Sequence, residues 1–161
     1  MKATGSTIIN HIKEMIESKR FVDQVQVQSN MVQGAKVATR INIRQVEDTE
    51  FDEWSSIDSE GRSLELDFEI GVRIKPKTED IHANQAAQAA FDTATGIGMQ
   101  ITSLLSENQS ILAINGARIL AEASSQREDV DTDDSDNILA RLDLEYSFLY
   151  RVKRNAPDIL T

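Results

Sequence analysis

The stretch Leu64 to Ile74, reading Leu-Glu-Leu-Asp-Phe-Glu-Ile-Gly-Val-Arg-Ile, decides the fold. Leu64, Leu66, Phe68, Ile70, Val72 and Ile74 fall on one side of an extended chain. Glu65, Asp67, Glu69, Arg73 and the following Lys75 fall on the other. Alternation this regular fits a strand with one buried and one wetted face, the habit of antiparallel sheets. Pro76, which has no amide to donate, ends it.

The same pattern recurs over Ile138 to Lys153, where Leu142, Leu144, Tyr146, Phe148, Tyr150 and Val152 oppose Arg141, Asp143, Glu145, Ser147, Arg151 and Lys153. Upstream, Ala35 to Val46 alternates Val37, Thr39, Ile41 and Ile43 with Ala38, Arg40, Asn42 and Arg44. Paired antiparallel with Leu64 to Lys75, it sets Arg40 and Arg44 against Glu65, Asp67 and Glu69, a charge match that favours the register. Phe21 to Ser29, with Val25 and Val27 set between glutamines, reads as a short first strand, and Asn30 to Gly34 as a turn. Ile111 to Ala123 reads as a further strand.

Helical spacing appears twice. Ser6 is positioned to cap a helix running to Lys19, whose residues Ile8, Ile9, Ile12, Met15 and Ile16 make one apolar face. Asp80 to Asn108 is the longer helix, with Ala83, Ala86, Ala87, Ala90, Phe91, Ala94, Ile97, Ile101, Leu104 and Leu105 in phase. Its early alanines, Ala87 among them, allow close approach of the sheet or a neighbouring subunit, and Gly96 and Gly98 mark a bend. The expectation is one α+β domain over residues 1–161: a mainly antiparallel sheet of about five strands packed by two helices, in the order α-β-β-β-α-β-β.

Two acidic stretches, residues 47–62 and 124–137, read as solvated loops. The first is long for a compact domain and carries Phe51 and Trp54, which either meet a partner, or fold back onto the core or extend the hairpin as strand. The second holds Asp129, Asp131, Asp133, Asp134 and Asp136, a spacing that invites calcium. Counting from Asp129, however, Asp134 stands where the EF-hand turn needs glycine and Ala140 where it needs glutamate. No metal is expected there.

The chain has no cysteine, and His11 and His82 stand alone without metal or triad spacing. No hydrolase elbow, metalloprotease helix or phosphate-loop lysine occurs, and Gly96-Ile97-Gly98 lies inside helical periodicity. No catalytic residue and no cofactor is therefore expected, and the chain does not read as an enzyme. Arg151, Lys153 and Arg154 form a basic run suited to a contact patch.

The formal charge of −10 opposes binding to a phosphate backbone. It suits a surface that DNA passes without sticking. No run approaches the roughly 18 to 20 apolar residues of a membrane span, so no membrane role is expected.

The opening helix Ile8-Ile9-Asn-His-Ile-Lys-Glu-Met-Ile16, the terminal strand Leu142-Asp-Leu-Glu-Tyr-Ser-Phe-Leu-Tyr-Arg-Val152 and the element order resemble the tail terminator, or tail-completion, proteins of tailed bacteriophages. The resemblance is one of architecture and spans most of the chain. It implies a hexameric ring in the virion neck, assembled in the host cytoplasm. Such a ring caps the tail tube protein, ends tail polymerisation and offers a joining surface to the head-side connector protein, with the genome passing through its centre. Phe51, Trp54, Ala87, Arg151, Lys153 and Arg154 are the contact residues this reading singles out. The competing expectation is an acidic module that mimics DNA and occupies a nucleic-acid-binding protein, which needs carboxylates gathered on one face.

Overall fold

Six strands form one sheet in the computed structural model, which describes residues 4–27, 38–74, 80–107, 119–132 and 138–161. The side chains of residues 4, 80–85, 107, 124, 128–132 and 158–159 lie outside that description. The chain runs α1 (Thr4–Lys19), β1 (Gln24–Val27), β2 (Thr39–Glu50), a 3-10 turn (Asp52–Trp54), β3 (Ser59–Ile74), α2 (Asp80–Glu107), β4 (Leu120–Thr132), β5 (Ile138–Lys153) and β6 (Ala156–Leu160). The order across the sheet is β1-β2-β3-β5-β4, with β6 also paired to β5. The expected α+β class and the two helices are thus observed. The sheet is mixed, because β1 runs parallel to β2 while all other pairings are antiparallel.

The strand phases follow from the alternation. Leu64, Leu66, Phe68 and Ile70 in β3, with Phe148 in β5, are fully buried, and they face the helices. Phe68, Tyr146 and Phe148 make an aromatic cluster at the centre, with the Phe68 and Tyr146 rings edge to face at 5.8 Å. Such a contact adds about 0.5–1.5 kcal/mol beyond burial. From α1, Ile8, Ile9, Ile12 and Ile16 enter this core, and from α2, Ala90, Ala94, Ile97, Ile101, Leu104 and Leu105. Both helices cover the same sheet face, since Gly5 of α1 lies against Leu64 and Gly98 of α2 against Ile70, Leu142 and Leu144.

Several sequence boundaries move. Ser6 lies within α1, which is already helical at Thr4, so it is not the cap. The helix stops at Arg20, whose left-handed backbone (φ 55°) lets its N–H bond back to the Glu17 carbonyl at 3.2 Å. The first strand is described over Gln24–Val27, and residues 28–29 of the expected strand and the expected turn over 30–34 lie outside the described residues, as do Lys75 and Pro76.

The acidic stretch 47–62 is not a solvated loop. β2 continues to Glu50 and β3 begins at Ser59, which leaves only residues 51–58 to connect them. A bulge between Gln45 and Glu47 shifts the register, so that Asp48 falls opposite Leu64 on the helix side of the sheet. Its carboxylate accepts from the Arg62 Nε at 3.0 Å and from the Tyr150 hydroxyl at 2.8 and 3.0 Å. Arg62 also pairs with Glu60 at 3.2 Å. Four acids of a run that looked hydrated on composition, Glu47, Asp48, Glu50 and Glu60, are therefore strand residues, and Asp48 and Glu60 are paired with Arg62.

The second acidic stretch is corrected likewise. β4 runs through Thr132, with Asp129 opposite Arg141 and Asp131 opposite Leu139 in β5, so most of 124–137 is strand. Asp133, Asp134 and Asp136 lie outside the described residues, as do residues 111–118 of the strand expected over Ile111 to Ala123. α2 runs as one unbroken helix through Gly96 and Gly98. Gly98 serves packing: a Cβ there would lie 2.7 Å from Leu142 Cδ2, whereas at Gly96 it would meet nothing within 4 Å.

Candidate functional site: a clamped corner of the sheet

At one end of the sheet, the β2–β3 connection and the β5–β6 turn are hydrogen-bonded into one body. Glycine makes the approach possible. Gly61 sits beneath the 3-10 turn, where a side chain would collide with the Phe51 carbonyl oxygen and come within 2.6 Å of Trp54 Cβ. Phe51 N–H donates to the Gly61 carbonyl at 2.7 Å, Trp54 N–H to Phe51 O at 3.1 Å, and Gly61 N–H to the Ser55 hydroxyl at 3.0 Å. Across the gap, Arg154 N–H donates to Asp58 O at 3.1 Å and its Nε to Ser56 O at 2.9 Å. The Trp54 ring lies against the Arg151 guanidinium, 5.3 Å from ring centroid to Cζ, a cation–π contact of about 0.5–1 kcal/mol at an exposed site.

This geometry gathers five of the six residues singled out in the sequence. Phe51 and Trp54 are half-buried, held over Gly61 in the short connection that follows the lengthened hairpin, and Trp54 meets Arg151. Arg154 is exposed and pinned, and Lys153 is exposed at the end of β5. Ala87 stands apart on α2, half-buried and packed against the core. An arginine there would first disturb packing, so it reports on folding rather than on contact.

The residue the sequence reading missed is Ile57, 93% exposed between Ser56 and Asp58. A lone apolar residue in a polar run was the available signal. Both of its neighbours have their backbone carbonyls bonded to Arg154, and Ser56 N–H donates to Ser59 O at 2.8 Å. The isoleucine is thus held outward by an ordered loop. An arrangement of this kind supplies a fixed apolar projection with charges beside it, which serves recognition.

A second cluster lies on the sheet face turned away from the helices. Asp67, Glu69 and Asp143 each bring one carboxylate oxygen to within 4.8 Å of the others. Arg44 pairs with Asp67 at 2.8 Å, and Arg141 with Glu69 at 3.0 Å and Asp143 at 3.4 Å. The expected facing of the β2 arginines and the β3 acids is therefore present: Arg44 pairs with Asp67, and Arg40, lying over Gly71 where any side chain would strike its guanidinium, is within the field of Glu69. Arg44 and Arg141 already offset the charge that these three carboxylates gather. Burial, chiefly, and the Asp143 charge push the Asp67 carboxyl above its ordinary value, with Arg44 opposing. Asp67 Oδ1 is buried with no hydrogen-bond partner.

Compared with models of known protein families and with curated proteins, the chain matches none.

Proposed function

We propose that this chain is a structural protein of the phage virion, of the tail-terminator kind, forming a ring that caps the tail tube, ends its growth and supplies the surface on which the head joins. The observation that carries the reading is the layout. Two helices lie on one face of a mainly antiparallel sheet, in the chain order α-β-β-β-α-β-β followed by one short strand. That layout is the one the resemblance implies. The clamped corner adds a preorganised contact element, which an assembly protein needs and a passive scaffold does not. The formal charge of −10 is compatible with a channel wall that lets DNA slide past.

The DNA-mimic alternative is less well supported. Mimicry wants unpaired carboxylates gathered on one face, whereas Asp67, Glu69 and Asp143 at the centre of the outer sheet face are paired with Arg44 and Arg141. Arginines inside the array cancel the field that a phosphate-seeking protein would follow.

The test is electron microscopy of lysates in which this protein is missing. The expected outcome is DNA-filled heads beside unjoined tails of uncontrolled length. Tails of normal length joined to heads would end the terminator reading and move the acidic binding module to first place.

A further inference from the structure

β4 ends the sheet on the side opposite β1, and among the described residues it is paired along one side only, with β5. The free side of such a strand offers a row of backbone N–H and C=O groups to another strand. The 13 residues of β4 include neither proline nor lysine, the residues that commonly guard an edge. A register shift between Ala123 and Ser125 changes the phase of the strand halfway along. Before it, positions 121 and 123 lie on the helix side, opposite Phe148 and Tyr146, and positions 120 and 122 on the outer side. After it, positions 126 and 128 take the helix side, opposite Leu144 and Leu142, and positions 125, 127 and 129 the outer side. Glu122, Ala123, Ser125, Gln126 and Arg127 are exposed. Arg127 lies opposite Asp143, which is paired with Arg141, and neither Glu122 nor Arg127 enters an ion pair among the described residues.

We propose that β4 is a self-pairing edge, on which two copies of the chain join antiparallel about a two-fold axis passing between Ser124 and Ser125. Residues opposed in an antiparallel pair point to the same face of the sheet. Because of the phase change, β4 matches faces with its own copy only when an even-numbered position meets an odd-numbered one. Among such registers, the one centred on the bulge sets Glu122 of each copy against Arg127 of the other on the outer face, and Ala123 against Gln126 on the helix side. Asp129 then meets Leu120 and Glu128 meets Ala121, so no acid lies opposite an acid. Sliding two residues one way sets Glu122 against Asp129, and sliding two the other way leaves Glu122 opposite Ser125 and Arg127 opposite Leu120. The charges thus select one register. The bulge falls on the axis, so each half pairs as a regular strand. A two-fold contact closes on itself and makes a dimer rather than a fibre, and it joins the two sheets with all helices on one face. A groove of about 290 Å³ beside α2, lined by Met99, Thr102, Gln126, Leu142 and Leu144 among others, lies on that face. The added strand extends its floor towards Met99, which is 68% exposed. The inference rests on the sheet edge and holds whichever function the chain performs.

Sedimentation velocity of the full chain over a concentration series tests it. The parent is expected to show a monomer–dimer equilibrium. Glu122→Arg alone and Arg127→Glu alone each set like charges opposite one another on both sides of the axis. Each is expected to weaken the dimer about tenfold or more, with the melting temperature of the dilute protein unchanged, because both side chains are exposed. The double variant Glu122→Arg, Arg127→Glu restores opposite charges and is expected to dimerise as the parent does, and an equimolar mixture of the two single variants is expected to form a mixed dimer. A parent that stays monomeric at every concentration overturns the proposal. So does association that the single variants leave unchanged, or a double variant as weak as either of them. The ring reading is decided separately, by tail lengths in lysates.

Discussion

Asp67 is 3% exposed, and one of its oxygens has no donor. Its carboxyl is held above the ordinary aspartate value, so the folded chain binds that proton more tightly than the unfolded chain does. The sign of the linkage follows: this residue's contribution to stability falls as pH rises from the ordinary value through the raised one, and the penalty is complete above it. Asp67→Asn removes the penalty. Its melting temperature is expected to exceed the parent's at pH 7, with the lead gone below about pH 3, where aspartate is neutral in both states; a lead that persists in acid would rule out ionisation as the cause. Tyr150 behaves differently, since its hydroxyl is buried and donates to a carboxylate, and its pKa is pushed up by burial and by Asp48. Tyr150→Phe leaves Asp48 short of a buried donor and is expected to cost about 1.5–3 kcal/mol in denaturant unfolding. Neither role was legible in the sequence. Asp48 sits in a run of acids, and a charge run does not show that a cation and a phenol arrive from strands 14 and 102 residues further on.

The long strands were legible because a buried face imposes period two over many residues, and Phe68 and Phe148 lie in the core as their phases require. Their ends were not, because Glu, Asp and Ser count towards loops in composition, whereas pairing with β5 holds them extended through Thr132. The short strands β1 and β6, at 4 and 5 residues, carry too few alternations to announce a pairing direction. The same limit applies to the two glycines of α2, which look alike in sequence and differ in surroundings. Gly96→Ala fills open space and is expected to stabilise the helix by about 0.5–1 kcal/mol. Gly98→Ala presses on Leu142 and Leu144 and is expected to cost about 1–3 kcal/mol. Thermal melts of the two variants check both signs. At the corner, Trp54 and Arg151 were each noticed, but their meeting depends on the close approach at Gly61.

For the molecule as a whole, layer architecture came from the pattern, and surface roles did not. Two amphipathic helices and a one-sided sheet have few ways to bury their apolar faces together, whereas a contact surface is marked by what is left over, such as Ile57. The position of β5 carries one more consequence. It lies between β3 and β4, also holds β6, and spans residues 138–153. This interior strand is therefore synthesised after β3 and α2, against which it must pack. A ribosome adding about 5–20 residues per second has already released the β2–β3 hairpin and α2, with no β5 on which to close. During that interval the apolar faces of β3 and α2 stand bare, and a nascent chain stalled before Ile138 is expected to be cut rapidly by protease. The same chain extended past Leu160 and clear of the exit tunnel is expected to resist. Translation speed through the segment between α2 and β5 then sets how long the unfinished sheet is open to chaperones.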